Sequence, residues 1–184
     1  MRIAIVGPGG AGGYLGARLA EAGEDVVVVA RGEHLEAIRR GGLRLESIDG
    51  GVLVHPAAAT DDPLEIGTVD AAVVATKSWQ LPAAAKAMRP MVGPDTVVVP
   101  VLNGVEAPTT LAEVLGKDAV VGGLCGMQAF IAAPGVIRHV GARPWLAFGE
   151  LDGTVSGRIH RLEEAFGGCR ALEVSVPPDI GVAM

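Results

Sequence analysis

A glycine-rich segment close to the start of the chain has the spacing of a phosphate-binding turn. It follows the predicted strand Arg2 to Val6 and precedes a helical pattern. The segment reads Gly7-Pro8-Gly9-Gly10-Ala11-Gly12. Between a strand and a helix, its first glycine permits a tight turn, its second lets the backbone approach a pyrophosphate, and its last lets helix and strand pack closely. Because helix N-termini favour anions, these six residues are the predicted binding site for a dinucleotide pyrophosphate.

An arginine stands where the second strand of such a unit would contact the adenosine ribose. Asp25 to Ala30 reads as a second buried strand, with a continuous apolar run from Val26 to Ala30, and Arg31 follows it. Chains that bind NAD usually have Asp or Glu at this place, to accept from the ribose 2′-hydroxyl. A guanidinium instead can hold a 2′-phosphate bidentately, so Arg31 favours NADP(H) over NAD(H). The other interpretation of Arg31 is a solvated loop arginine.

Alternating apolar runs and helical patterns predict the α/β elements that position these residues. Strands are expected over 2–6, 25–30, 69–75 and 95–102, and helices over 10–22, 33–40, 82–88, 107–115 and 156–166. Further strands are expected over 43–47, 52–54, 119–129, 135–140, 145–148 and 172–176. The first two of these form a hairpin, and the gaps among the others are too short for helical crossovers, which predicts partly antiparallel pairing. The expected fold is a Rossmann-type, doubly wound, mostly parallel sheet with a few antiparallel strands.

Polar residues follow two of the predicted parallel strands at their carboxyl ends, where open α/β sheets bind ligands. Lys77 and Trp79 come after the strand over 69–75, and Asn103-Gly104 comes after the next one. Each has a second interpretation. Lys77 is either a site residue or a surface lysine, Trp79 either a pocket wall or a core residue, and Asn103-Gly104 either a site or a simple turn.

Composition restricts the class of protein. The 184 residues are 49% hydrophobic but only 3% aromatic, which suits one core of Val, Leu, Ile and Ala around covered parallel strands. A net charge of −6 with scattered basic residues argues against nucleic acid as a partner. Cys125 and Cys169 have no metal-ligand spacing, and no metal is predicted. Without a membrane span or signal peptide in the sequence, the expected location is the cytoplasm.

The carboxyl end of the chain predicts a domain boundary. Pro177-Pro178 forms a stiff linker, and Asp179 is placed to cap a helix that the chain ends too soon to complete. We therefore expect residues 1–176 to form an NADP-binding Rossmann domain. Residues 177–184 are expected to begin a linker or helix that leads to a missing second domain.

Several motifs occur together in the order seen in one enzyme family. They are Gly7, Gly9, Gly12, Arg31, Lys77-Ser78-Trp79-Gln80, Asn103-Gly104-Val105 and Pro134-Gly135-Val136-Ile137-Arg138-His139. Over its whole length the chain resembles the ketopantoate reductases (2-dehydropantoate 2-reductases). The resemblance implies a Rossmann domain followed by a carboxyl-terminal helical domain, and NADPH-dependent reduction of 2-dehydropantoate to pantoate in pantothenate biosynthesis.

The resemblance also implies roles for individual residues. Arg31 would hold the 2′-phosphate, and Lys77 and Gln80 would lie along the cofactor. Asn103 would lie near the nicotinamide and the substrate, and Ala129 would contact the nicotinamide end. Lys77 and Asn103 could orient and polarise the ketone, since hydride transfer leaves negative charge on its oxygen.

One departure from the family pattern limits the expected activity. The family's general-acid lysine lies on the first helix of the second domain, whereas the lysines here are Lys77, Lys86 and Lys117. We therefore expect NADPH binding with weak turnover or none. The alternatives are a non-catalytic NADP(H)-binding module or sensor, and a reductase of another 2-oxo acid. Removal of a partner domain would leave apolar surface near Asn103 and the carboxyl terminus, which predicts self-association into a homo-oligomer.

Overall fold

The computed structural model describes residues 1–184, whose strands form two β-sheets of five strands each. The strands are β1 (Arg2–Val6), β2 (Asp25–Val29), β3 (Leu43–Ser47), β4 (Val52–Val54), β5 (Ala58–Thr60), β6 (Ala71–Val74), β7 (Val97–Pro100), β8 (Gly122–Ala133), β9 (Val136–Gly149) and β10 (Glu173–Ser175). The helices are α1 (Gly10–Glu21), α2 (Gly32–Gly41), α3 (Leu81–Met88), α4 (Ala107–Leu115), α5 (Gly157–Gly167) and α6 (Ile180–Ala183).

The first sheet, sheet A, is parallel throughout and has the strand order β5-β2-β1-β6-β7. Strands β6 and β7 are short, Val- and Ala-rich and buried on both faces, as expected for covered parallel strands. From β1 the chain continues to β2 on one side, while β6 lies on the other side. The order therefore reverses between β1 and β6, and a crevice is expected at the carboxyl ends of those two strands.

The second sheet, sheet B, is mixed and is built around the long strand β9. This strand pairs antiparallel with β8 and parallel with both β3 and β10, and β3 forms an antiparallel hairpin with β4. Helix α1 contacts strands of both sheets, so it lies between sheet A and sheet B. The helix is accordingly buried along eight of its twelve residues.

Glycines permit this double packing of α1. A Cβ at Gly13 would lie 2.5 Å from Cγ1 of Ile137 in sheet B, and one at Gly16 would lie 3.0 Å from Cγ1 of Ile5 in sheet A. Larger residues on these two sides would hold the sheets apart. The cluster of 29 buried residues on this face of sheet A is larger than the cluster of 16 that α3 and α4 cover on the other face.

The structure confirms the predicted fold class and most predicted elements, with one rearrangement. The antiparallel strands do not extend the parallel sheet but form sheet B, because the glycines of α1 let a second layer pack on that helix. The separately predicted strands 135–140 and 145–148 are parts of the single strand β9. Strand β5 was missed, since Ala58–Thr60 has neither the length nor the pattern of a strand.

At the carboxyl end, Asp179 caps the short helix α6 by accepting a hydrogen bond from the Val182 amide at 3.1 Å. The apolar side chains of Val105 and Val182 are exposed, which suits the expected association surface near Asn103 and the carboxyl terminus. Self-association itself stays a prediction. None of the helices is long and apolar enough to span a membrane.

An ion pair beside α5 predicts an acid-sensitive contribution to stability. Arg158 donates to both carboxylate oxygens of Glu150, at 2.7 and 2.6 Å. Hydrogen bonding from Arg158 lowers the pKa of Glu150, so the stabilisation is present above the ordinary glutamate pKa and is lost as pH falls through the lowered value. With allowance for solvent screening, Glu150→Gln should cost about 1 kcal/mol, or about 2–4 °C in Tm, near pH 7 and progressively less toward about pH 3. Thermal unfolding across this pH range measures the difference.

Glu163→Gln is the matched control for this prediction, since Glu163 is half exposed and its only ion-pair partner is His160 at 3.7 Å. It should change Tm little at any pH. A Glu150→Gln effect that persisted undiminished in acid would contradict the assignment.

Candidate functional site

Two adjoining clefts occupy the expected crevice at the carboxyl ends of β1 and β6. The first cleft has a volume of about 500 Å³, and its wall includes Gly7, Pro8, Arg31, His34, Asp61, Gln80 and Met88. The second has a volume of about 430 Å³, and its wall includes Gly10, Ala11, Ser78, Asn103, Cys125, Met127 and Ala129. Gly9, Ala75, Thr76, Lys77 and Trp79 line both. An elongated ligand could therefore lie across the two clefts and pass the glycine turn at their junction.

The glycine turn has the geometry of an anion-binding loop. Gly7 turns the chain with φ +86, and Gly9 is the N-cap residue of α1 with no side-chain capping bond. The amides of the first helical turn have no acceptor within a helix. Nothing lies within 4 Å of the place where a Cβ of Gly9 would be, so the backbone faces open cleft at that residue. Free donors beside this space fit a pyrophosphate.

Other glycines of the turn serve packing. A Cβ at Gly12 would lie 2.3 Å from the Gly7 carbonyl oxygen, and one at Gly10 would lie 1.9 Å from the Ala129 carbonyl oxygen. The turn is thus enclosed between the end of β6 and strand β8. Ala129 lies in the wall of the second cleft at this contact, whereas Gly12 lines neither cleft.

Arg31 lies in the first cleft as the N-cap residue of α2. Its side chain is exposed and forms no ion pair. The carboxylate of Asp61, on the same wall of the cleft, lies 3.8 Å from the guanidinium of Arg39. An exposed, unpaired guanidinium beside a glycine turn is available to an anionic group of a bound ligand.

Lys77 lies at the junction of the clefts, where its backbone amide donates to Oε1 of Gln80 at 3.3 Å. Asn103 is exposed in the second cleft, and no hydrogen bond within the chain involves its side chain. An ammonium and a carboxamide thus border one cavity. Trp79 is 77% exposed, so its interpretation as a core residue is wrong and it forms a wall of both clefts.

Cys125 lies in the second cleft, but its surroundings hold it as a thiol. Its Sγ donates to the Val101 carbonyl oxygen at 3.3 Å, and burial raises its pKa to about 11. Because the thiolate is the reactive form, a nucleophilic role is not supported at neutral pH. The second cleft is suited to binding and polarising a ligand.

Sequence reasoning missed two polar residues of the first cleft, His34 and Asp61, and the buried state of the Thr76 hydroxyl. The Nε2 atom of His34 lies 2.9 Å from the Pro8 carbonyl oxygen, and burial lowers the pKa of this imidazole, which favours its neutral form. The Thr76 hydroxyl is the one buried side-chain polar atom without a hydrogen-bond partner. A polar ligand at the junction of the clefts would lie close to that hydroxyl. The residues present therefore fit a phosphorylated dinucleotide.

The parallel sheet, the glycine turn at its switch point and the clefts around it define a domain of the Rossmann type. A family model described as ketopantoate reductase PanE/ApbA matches residues 3–153. The chain belongs to the ketopantoate reductase family.

Comparisons with individual relatives support this assignment. The chain is 34% identical to the uncharacterized oxidoreductase YkpB of Bacillus subtilis, with 93% of this chain and 56% of that protein covered. It is 35% identical to the 2-dehydropantoate 2-reductase of Mesorhizobium japonicum, with 89% and 56% covered. The crystal structure of 2-dehydropantoate 2-reductase from Porphyromonas gingivalis superimposes with a TM-score of 0.91 at 34% identity, with 98% of this chain and 65% of that one covered. The chain thus spans between 56% and 65% of the lengths of these relatives.

Proposed function

We propose that this chain is the NADP(H)-binding domain of a cytoplasmic enzyme that reduces 2-dehydropantoate to pantoate in pantothenate biosynthesis. Family membership supports the type of reaction. The observation that carries the coenzyme assignment is that the unpaired Arg31 and the open turn at Gly9 line one cleft. The chain's binding of 2-dehydropantoate, a 2-oxo acid, is part of the proposal. We further propose that residues 1–176 form the coenzyme domain and residues 177–184 the start of a linker.

The proposed arrangement follows the two clefts. The first cleft takes the adenosine half of the coenzyme, with Arg31 at the 2′-phosphate and Gln80 along the wall. The amides that follow Gly9 bind the pyrophosphate, for which a helix N-terminus provides donors and a favourable dipole. The second cleft takes the nicotinamide half against Ala129.

NADPH supplies the hydride when it is bound. Lys77 and Asn103 border the space beside the nicotinamide position in this proposal. The Lys77 ammonium attracts the carboxylate of the 2-oxo acid, and both side chains donate hydrogen bonds to its ketone oxygen. Such donors stabilise the negative charge that develops on that oxygen.

Calorimetric titration of the purified chain with NADPH and NADH tests the coenzyme assignment. We expect saturable binding of both and tighter binding of NADPH. Absence of binding, or tighter binding of NADH, would contradict the proposal. Binding of NADPH without any reduction of 2-dehydropantoate by the whole protein would favour a non-catalytic coenzyme-binding module.

The variant Asn103→Ala tests the role of the second cleft independently of the first. Asn103 lines only the second cleft, so the variant should bind 2-dehydropantoate about 2- to 10-fold more weakly in the presence of NADP⁺, as expected for one lost hydrogen bond. Its affinity for 2′-phospho-ADP-ribose, which lacks the nicotinamide, should stay unchanged. Calorimetry with both ligands measures this. Equal 2-dehydropantoate affinity in variant and wild type would instead support the simple-turn interpretation of Asn103-Gly104.

A further inference from the structure

The ring of His34 connects three segments that are far apart in the sequence. His34 lies in the first turn of α2, and its Nε2 lies 2.9 Å from the Pro8 carbonyl oxygen of the glycine turn. The amide of Gly135, between β8 and β9, donates to Nδ1 of the ring at 3.0 Å. Since Nδ1 accepts, it carries no proton, and Nε2 is the nitrogen that donates to Pro8. A neutral ring of one defined tautomer therefore joins α2, the glycine turn and sheet B.

Strand β2 is tied to the glycine turn as far as Val29, whose carbonyl oxygen accepts a hydrogen bond from the Gly7 amide at 3.1 Å. Gly32 enters the helix with φ +57, and nothing lies within 4 Å of the place where its Cβ would be. Before it, the Ala30 amide is fixed by a bond to the Thr60 carbonyl oxygen at 2.9 Å. After it, the bond from His34 to Pro8 is the only side-chain hydrogen bond that joins α2 to the glycine turn. Beyond Ala30, His34 therefore provides the side-chain bond that holds the start of α2, and with it Arg31, against the turn.

We propose that His34 is a positioning residue that fixes the spacing between Arg31 and the glycine turn, and thereby the preference of the site for a 2′-phosphorylated dinucleotide. The inference rests on the proposed function, in which Arg31 receives the 2′-phosphate and the turn receives the pyrophosphate. Both anionic groups belong to one ligand, so both contacts form together only when the two elements are held at the matching distance. Holding them before binding removes the cost of ordering them on binding.

Three variants of His34 test the contributions of its two ring hydrogen bonds separately. His34→Gln retains an N–H donor at about the reach of Nε2, His34→Asn retains an acceptor at about the reach of Nδ1, and His34→Ala retains neither. Calorimetry should show NADPH affinity reduced about tenfold in His34→Ala and His34→Asn, with NADH affinity reduced less than about threefold. His34→Gln should keep most of the NADPH affinity and of the NADPH-to-NADH ratio, because it keeps the bond to Pro8.

Two further measurements test the role of His34. Nitrogen-15 NMR of the free protein should show His34 with its proton on Nε2, and a proton on Nδ1 would overturn the assignment. If His34→Ala does not fold, the ratio of NADPH to NADH affinity in His34→Gln against His34→Asn decides the matter. Equal ratios in those two variants would overturn the inference.

The coenzyme affinities of the wild-type chain and of His34→Ala distinguish the role of Arg31 from that of His34. A wild-type chain with no preference for NADPH would refute the role of Arg31 and, with it, that of His34. A wild-type chain that prefers NADPH, together with a His34→Ala variant that weakens both coenzymes equally, would refute the positioning role alone.

Discussion

Replacing Gly9 with alanine is expected to remove coenzyme binding while the chain stays folded. The φ of Gly9 is −70, which any residue adopts, and a Cβ there would project into the open space at the junction of the two clefts. That space is the proposed site of the pyrophosphate, so one methyl group would prevent close approach of the phosphates to the helix amides. We expect NADPH affinity to fall at least about 100-fold, equivalent to about 2.7 kcal/mol. Calorimetric titration measures this loss.

The cost to stability should be small for Gly9→Ala and large for the neighbouring variant Gly10→Ala. Alanine is a poorer N-cap than glycine, which costs about 1 kcal/mol or less. A Cβ at Gly10, by contrast, would lie 1.9 Å from the backbone oxygen of Ala129, and such overpacking costs about 1–3 kcal/mol or more. Thermal denaturation of both variants makes the comparison. Wild-type NADPH affinity in Gly9→Ala would show that the phosphates do not lie against this turn.

Replacing Arg31 with alanine is expected to weaken NADPH binding by about 1.5–3 kcal/mol, or about 10- to 150-fold, and to leave NADH binding almost unchanged. The two coenzymes differ only in the 2′-phosphate, and Arg31 is an unpaired guanidinium of the first cleft. Because charge attraction at an exposed site is screened by salt, the advantage of the wild type should also decrease as ionic strength rises. Parallel titrations with NADPH and NADH at low and high salt measure both effects.

Arg40→Ala is the matched control, since Arg40 lies on the same helix, is exposed and lines neither cleft. It removes the same charge from the chain without touching the proposed site. If Arg31→Ala lowered the affinity for both coenzymes equally, or if Arg40→Ala had the same effect, the 2′-phosphate assignment would be wrong and Arg31 would be a solvated loop arginine.

The part of the fold that carries the glycine turn could be predicted because its signals are local. The strand Arg2–Val6, the glycines after it and the strand Asp25–Val29 can each be recognised from a few consecutive residues. The direction of parallel strands then brings Arg31 and Lys77 to the same edge of a sheet. The structure does place both residues in the first cleft.

What could not be predicted depends on contacts between distant segments. Sheet B packs on α1 because Gly13 and Gly16 leave room on opposite sides of the helix. The sequence around each glycine does not indicate which strand will pack against it. His34 gave no signal because its ring partners, Pro8 and Gly135, lie 26 and 101 residues away. The Thr76 hydroxyl differs from other buried polar groups only because it has no hydrogen-bond partner, and this cannot be read from the sequence.

The exposure of Trp79 at the junction of the clefts gives the protein an intrinsic optical reporter. Only two tryptophans occur in the chain, and the other, Trp145, packs against Gly126 in sheet B and lines neither cleft. Reduced nicotinamide absorbs in the near-ultraviolet region where indole emits. Bound reduced coenzyme should therefore quench the tryptophan emission by energy transfer, so coenzyme binding and its displacement can be followed on unlabelled protein.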